Sequence, residues 1–305
     1  MMTQQQTENL QQVLAASGLE TRRTHPSAWA AEVLPGHTVK LTCDEDYLHL
    51  LADLGPRDNA PIMRDDGGRR LLEQAHYLGG NVKFSLTTGQ RVHLESELFA
   101  PDLDPSSGEL AAALAGIQTG IQFFKNHASS GEGGALSPLN PTHGSEPVDL
   151  KEVARLSGWP FAERDNQDLV FDLTGDPALR QAVLTVEGNA ATRLSVTVDV
   201  ETDAGNAIVP AFADLMLRVN ALLLGPRAIL RPSGPRTVAV LEKGWQAAPG
   251  PDSLRVALES LNVASHTVGL ELQSIFAADV AAAYLEVGMS SLSHQQPTPR
   301  KKNRP

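Results

Sequence analysis

Residues 81–98, NVKFSLTTGQRVHLESEL, have the sequence pattern of a β-hairpin. The central Thr87–Gln90 (TTGQ) contains glycine, which favours a tight connection between two strands. Apolar residues occupy alternate positions on both sides of this turn, as in strands with one buried face: Val82, Phe84 and Leu86 before it, and Val92, Leu94 and Leu98 after it. The segment therefore predicts two antiparallel strands.

Helices are predicted on both sides of this hairpin. Residues Arg70–Leu78 precede it and end at Gly79-Gly80, which is a favourable helix stop. After the hairpin, apolar residues recur with the period of one helix face, at Leu110, Leu114, Ile117, Ile121 and Phe124.

The N-terminal part predicts a short helix followed by three strands. Thr7 is the candidate N-cap of the helix, and Gly18 its stop. The strand candidates are Ser27–Leu34, Val39–Cys43 and Tyr47–Leu54, the last of which also fits a helical period.

A second set of elements follows residues 128–147, ASSGEGGALSPLNPTHGSEP, a composition typical of a linker. A short helix over Leu150–Gly158 opens this set, and a later helix ends at Gly225-Pro226. The remaining elements are strands at Trp159–Arg164, Leu169–Leu173, Arg180–Val186 and Arg193–Val200, a hairpin of Arg227–Arg231 and Arg236–Leu241, and a long helix from about Asp252 to Val287.

The two halves thus repeat one order of elements without repeating residue identities. Strands grouped between helices, with no strand–helix–strand alternation, predict an α+β fold with antiparallel sheets. We predict two tandem domains, each in the order helix, three strands, helix, two strands, helix. The first covers residues 1–127 and the second 148–290, with the linker at 128–147 and a disordered basic tail at 291–305.

Composition limits the classes of function. The 305 residues carry 25 Lys+Arg against 36 Asp+Glu, a net charge of −11, which argues against a nucleic-acid binder because such a protein needs a basic face. The exception is the basic tail at Arg300–Arg304, for which an anion-binding arm is the alternative to a disordered end. A single cysteine excludes intrachain disulfides and multi-thiolate metal sites. No export signal is recognisable, and no apolar stretch approaches the ~18 residues of a membrane span. We therefore expect a cytoplasmic protein with neither nucleic acid nor membrane as a partner.

The order of elements resembles the class I type III secretion chaperones, which have the CesT-like fold, and the related YbjN-like domains. The duplication, the length and the additional strand at Arg180–Val186 depart from that family. The resemblance is carried by Leu10–Gly18, His37–Cys43, Arg70–Gly80, Asn81–Leu98 and Glu109–Phe124 in the first half, and by Leu150–Gly158, Gln167–Leu173, Arg193–Val200, Ile208–Gly225 and Arg227–Leu241 in the second.

The resemblance implies binding without chemistry. Members of this family work as homodimers of small subunits that hold an extended segment of a secreted or regulated protein. Two copies in one chain would form a covalent pseudo-dimer, and a homodimer of the whole chain remains an alternative.

No residue is predicted to be catalytic, cofactor-binding or metal-ligating, and no cofactor is expected. Cys43 lies on the apolar side of its strand, beside Asp44-Glu45-Asp46, whose charges disfavour a thiolate. The histidines lack zinc-protease spacing, although His93 and Glu95 share a strand face. The full set is His25, His37, His49, His76, His93, His127, His143, His266 and His294.

Three other short motifs are predicted to be structural. Asp44–Asp46 and Asp65–Gly68 are interpreted as turns, because the second lacks the alternating carboxylates of a calcium loop. Gly131–Gly134 is preceded by no strand and followed by no helix, which excludes a phosphate loop.

The final predicted helix, about 36 residues or ~54 Å long, exceeds what one small sheet can cover. We therefore expect part of it to meet the other repeat, a second chain or a partner. The simplest interpretation of its apolar stripe is a core face packed on its own sheet, and the functional alternative is that its surplus apolar surface forms the seam between the copies. Its apolar stripe is Leu254, Leu258, Leu261, Val268, Leu272, Phe276, Val280 and Tyr284.

The leading functional hypothesis is a non-enzymatic protein-binding module. It would hold a segment of a protein client or regulatory partner by strand addition or in apolar grooves along the sheets, and its acidic rim would steer basic partners towards it. The alternative is a small-ligand or metal-dependent enzyme with a site between the two repeats. A third hypothesis is a structural homodimer without clients.

Overall fold

Two six-stranded antiparallel sheets form the framework, one in each half of the chain. The computed structural model describes residues 8, 11–15, 19–44, 46–63, 67–100, 103, 108–129, 149–164, 168–173, 181–187, 191–200, 208–233, 236–275 and 280–281.

The first half contains three helices and six strands among its described residues. In chain order they are α1 (residues 11–15), β1 (Thr21–His25), β2 (Ala28–Leu34), β3 (His37–Cys43), β4 (Tyr47–Pro56), α2 (Gly67–Ala75), β5 (Lys83–Leu86), β6 (Arg91–Phe99) and α3 (Glu109–Ser129). Short 3-10 turns at Arg57–Asn59 and Pro61–Met63 connect β4 to α2.

The second half repeats this series in its described residues. Its elements are α4 (Leu150–Ser157), β7 (Phe161–Glu163), β8 (Leu169–Asp172), β9 (Gln181–Glu187), β10 (Ala191–Val200), α5 (Ile208–Asn220), β11 (Arg227–Ser233), β12 (Arg236–Trp245) and α6 (Pro251–Ile275).

Both sheets have the same topology. The strand order is β1-β2-β3-β4-β6-β5 in the first sheet and β7-β8-β9-β10-β12-β11 in the second. Each sheet is thus a four-stranded meander, followed by a helix and a hairpin whose second strand returns beside the last meander strand. The predicted α+β class with two antiparallel sheets is confirmed.

Each meander has four strands, where the predicted order has three. The additional strand of the first half is β1, whose sequence TRRTH offers no apolar alternation and whose residues are mostly exposed. The strand predicted at Arg180–Val186 is observed as β9, and it is not peculiar to the second half. Residues Tyr47–Leu54 form part of a strand, β4, which pairs with both β3 and β6.

Some element boundaries differ from the predicted ones. Helix α2 begins earlier than predicted and ends at Ala75, where short-range hydrogen bonds from Tyr77 and Leu78 tighten the chain into a turn. Helix α3 extends to Ser129 and so includes the first two residues of the predicted linker. The rest of the predicted linker, residues 130–147, lies outside the described residues. The predicted basic tail and the end of the predicted final helix also lie outside them.

A long helix covers one face of each sheet. Helix α3 contacts β2, β4 and β6, and the five apolar residues predicted to face the core are all buried. Helix α6 contacts β10 and β12 and buries Leu254, Leu258, Leu261 and Val268. The buried apolar residues of both halves belong to one continuous cluster.

The halves meet along a seam built mainly from α2, α5, β5 and β11. Helices α2 and α5 pack on each other, and each contacts the first strand of both hairpins. Helix α6 instead packs on α4, α5, β10 and β12 of its own half. Residues Ser253, Val256 and Ala257 of α6 nevertheless line a depression together with Tyr47 and Phe99 of the first half. The expectation that surplus surface of the final helix forms the seam stays a prediction.

Substitution of two glycines with positive φ distinguishes the cost of backbone strain from the cost of a steric clash. We expect Gly36→Ala to lower the free energy of unfolding by about 1–2 kcal/mol, because φ is +77° but no atom lies within 4 Å of the added Cβ. Gly80→Ala should cost at least about 2 kcal/mol more, because its Cβ would lie 2.2 Å from the Ala113 backbone nitrogen in α3.

Urea unfolding of the two variants measures this difference. Equal losses of stability would show that α3 does not pack against Gly80 as described.

Candidate functional site

The seam contains a buried cation from each half. Lys83 is the first residue of β5 and Arg227 is the first residue of β11. Lys83 Nζ lies 2.8 Å from a carboxylate oxygen of Glu97 on β6, and Arg227 Nη2 lies 2.8 Å from Glu242 on β12. All four side chains are at most 8% exposed, so each charge has its counterion within its own hairpin.

Each of these cations also donates to the opposite half. Lys83 Nζ lies 2.5 Å from the carbonyl oxygen of Leu223, in the connection between α5 and β11. Arg227 Nη1 lies 2.8 Å from the carbonyl oxygens of both Leu78 and Val82, in the connection between α2 and β5. The two halves therefore exchange equivalent contacts.

Two asparagines complete the backbone hydrogen bonding at the seam. The side chain of Asn81 accepts from the Gly244 amide at 2.6 Å and donates to its carbonyl, which imitates a paired strand beside β12. Asn220, at the end of α5, accepts from the Ala228 amide at 2.6 Å and donates to the Phe84 carbonyl at 2.9 Å. Asn81 thus satisfies backbone groups of β12, and Asn220 satisfies backbone groups of β5 and β11, the edge strands that meet at the seam.

Around Glu242 the seam gathers further charged groups. Arg193 Nη1 lies 3.3 Å from Glu242 and donates to His76 Nδ1 at 3.2 Å, while Arg231 lies 4.0 Å from Glu242. Burial would raise the pKa of Glu242, but Arg227 and Arg193 lower it below its usual value. This carboxylate is therefore ionised at neutral pH.

His76 is kept neutral by the same surroundings. Burial is the main cause that lowers its pKa to about 4; Glu242 opposes this effect, and Arg193, Arg227 and Arg231 add to it. The ring consequently acts as a neutral hydrogen-bonding group in this cluster.

A second ionic contact joins the halves near α5. Asp214, which is almost fully buried, lies between Arg57 of the first half and Arg218 of its own helix. Its carboxylate accepts from Arg218 Nε at 2.7 Å and from Arg57 Nη1.

Two shallow depressions lie between the halves on the other side of the seam. Their cavity volumes are about 20 and 10 Å3, and both are lined by Phe99 and Lys243. They are smaller than the pockets of about 300–1,000 Å3 that enclose small ligands. The alternative of an enzyme with a site between the repeats stays a prediction.

Cys43 packs in the core, as predicted. Burial, together with the charge of Asp44, raises the pKa of its thiol to about 11. The turn prediction is also confirmed for Asp44, whose carboxylate accepts from the amides of Asp46 and Tyr47 and lies 2.7 Å from His49.

His93 and Glu95 lie on the same strand face, as predicted. His93 Nδ1 lies 3.3 Å from Glu95, and the Ser85 hydroxyl donates to the same carboxylate at 2.6 Å. Burial would raise the pKa of Glu95, but His93, Ser85 and Lys83 lower it. Within the described residues, no group of three or more His, Cys, Asp or Glu side chains could hold a metal ion.

Several predicted motifs lie wholly or partly outside the described residues. Glu45, Asp65-Asp66, Gly131–Gly134, His143 and His294 belong to this group, and the side chain of His127 is not described. None of the helices in the described ranges has the length and apolar character needed to cross a bilayer.

The seam charges were not identifiable from local motifs. The four charged residues lie in segments of alternating apolar residues, where the pattern predicts that each faces solvent: Lys83, Glu97, Arg227 and Glu242. The available signal was their correspondence: a cation opens the hairpin of each half, and a glutamate follows on its second strand.

Comparisons with known proteins give a structural likeness of low TM-score. No protein-family model matches the chain, and no curated protein matches it. Among solved structures the chain is similar to YbjN from E. coli, a protein proposed to be a transcription regulator, with a TM-score of 0.27 and 18% identity over 38% of this chain and 90% of YbjN. This comparison supports at most a YbjN-like resemblance for part of the chain. The tandem CesT-like identity stays a prediction.

Removing the charge of Glu242 tests the seam. We expect Glu242→Gln to lower the free energy of unfolding by about 3–5 kcal/mol, because it leaves buried guanidinium groups without their counterion. Glu259→Gln is the matched control, since Glu259 is 54% exposed in its pair with Arg255, and it should change stability by less than about 0.5 kcal/mol.

Urea unfolding of both variants at neutral pH provides the measurement. A loss for Glu242→Gln no larger than that for the control would contradict the described seam.

Cys43 should be protected from alkylation in the folded protein. With a pKa of about 11, its thiolate fraction is about one in a thousand near pH 8, and the surrounding core blocks access. Iodoacetamide labelling followed by mass spectrometry should proceed at least about tenfold faster in concentrated urea than in buffer. Similar rates in both conditions would place Cys43 at an accessible surface.

Proposed function

We propose that this protein is a non-catalytic binding module that holds an extended segment of a partner protein. The observation that carries the proposal is that one edge of each sheet is covered at the seam, whereas the opposite edge is not covered by the other half in the part of the chain that the structure describes. Strands β5 and β11 are covered at the seam, whereas β1 and β7 form the outer edges of the described sheets.

Strand β1 is the better candidate for strand addition. It has five residues, most of them exposed, whereas β7 has three. An edge strand presents backbone groups to which an extended segment can pair. Strand β1 therefore offers a longer template than β7.

The side chains of β1 suggest the charge of the segment. Arg22, Arg23 and His25 lie on this strand, and exposed Lys40 lies in the same cross-strand row as Arg22 through Ala30. Arg23 is held over the Trp29 ring, with its guanidinium carbon 5.7 Å from the ring centroid. A segment with acidic residues would complement this basic edge of an otherwise acidic chain.

Affinity purification of the tagged full chain at moderate salt, followed by mass spectrometry, tests the proposal. We expect one protein in stoichiometric amount, bound at least about tenfold more weakly by Arg22→Glu and equally well by Arg70→Glu. Arg22 and Arg70 are both exposed arginines, which makes the second variant a matched control for charge reversal.

Hydrogen exchange then locates the bound segment. The amides of residues 21–25 should become protected when the isolated partner is added. Absence of a stoichiometric protein, or a partner that Arg22→Glu retains in full and that leaves these amides unprotected, would refute the proposal.

A further inference from the structure

Several cationic side chains surround Glu242. Three guanidinium groups, from Arg193, Arg227 and Arg231, lie within 4.0 Å of this one carboxylate. The adjacent His76 is neutral at physiological pH.

The carboxylate is already engaged by two of these arginines. Arg227 donates through Nε at 3.0 Å to Oε1, and its Nη1 is taken up by two backbone carbonyls of the first half. Arg193 donates to Oε2 at 3.3 Å. Glu242 thus has both oxygens in contact with groups other than Arg231.

Arg231 is the arginine whose hydrogen-bonding capacity is least used. Its contact with Glu242 is 4.0 Å long, which exceeds a hydrogen bond. Its Nε is buried and has no hydrogen-bond partner among the described residues, yet 40% of the side chain is exposed. A buried N–H without an acceptor is costly, and a ligand that reaches from solvent can supply one.

The same cluster supplies neighbouring donors. Strand pairing places Arg193, Arg227 and Arg231 on one face of the second sheet, where α2 of the first half also packs. Because His76 Nδ1 accepts from Arg193, the proton of its neutral ring lies on Nε2. A planar guanidinium and an imidazole N–H together suit an oxyanion.

We propose that Arg231, with Arg193 and His76, forms a binding site for an oxyanion, a phosphate or carboxylate group, at the seam between the two halves. The site is independent of the partner proposed for β1, which lies on the opposite edge of the other sheet. An occupant would bridge the turn that follows α2 in the first half and β11 of the second, and would therefore stabilise the seam.

Thermal unfolding of the full chain with added anions tests the site. Sodium phosphate and sodium acetate are titrated separately against sodium chloride at equal ionic strength. At least one of the two oxyanions should raise Tm by a saturable shift of about 2 °C or more relative to chloride. The anion that saturates distinguishes a phosphate ligand from a carboxylate ligand.

Two variants assign the effect to Arg231. Arg231→Gln should weaken the saturable binding at least about tenfold, and Arg231→Lys, which keeps the charge but loses the planar fork, should weaken it less. Arg255→Gln is the matched control, since Arg255 is 44% exposed and ion-paired on α6, and it should bind as the unmodified chain does.

Urea unfolding of each variant without added anion checks that the fold is intact. No saturable shift with either oxyanion, or an equal shift in Arg231→Gln and the unmodified chain, would overturn the proposal. Failure of this test would leave the β1 proposal untouched, because that proposal is measured by partner capture and amide protection.

Discussion

The structure depends on two buried cations, one from each half, that donate hydrogen bonds to the backbone of the opposite half. Lys83 and Arg227 each open the hairpin of their own half, pair with a glutamate on that hairpin, and donate to carbonyls of the other half. Separation of the halves would leave these carbonyls without their donors and expose the packed faces of α2 and α5. Each half therefore covers surfaces and satisfies carbonyls that the other half would otherwise leave exposed.

This constraint decides which surfaces remain for binding. Because the inner strands β5 and β11 are committed to the seam, the outer strands carry the accessible sheet edges. A seam built from ions and hydrogen bonds adds little net stability over an apolar one, but its groups fit in one arrangement only. We infer that it fixes the relative position of the two sheets, and with it the positions of β1 and the Arg231 cluster.

The sequence predicts the architecture well where burial follows a simple period. The alternation in β6 and β10, and the helical stripe of α3, each reflect one buried face, and all three elements are observed. Strand β1 was missed because it is an exposed edge, where pairing with β2 replaces apolar alternation as the cause of the strand. The seam was missed for another reason: Lys83 and Arg227 have the polar character of surface residues, and only the contact between distant halves buries them.

Unfolding followed separately in each half tests the central claim most directly. One variant keeps Trp29 as its tryptophan and the other keeps Trp245, with the remaining tryptophans replaced by phenylalanine. In each variant, urea unfolding is followed by fluorescence and by far-UV circular dichroism of the whole chain. If the seam couples the two halves, the fluorescence and circular dichroism transitions should coincide in both variants. A fluorescence transition separated from the circular dichroism transition in each variant would show that the halves unfold independently.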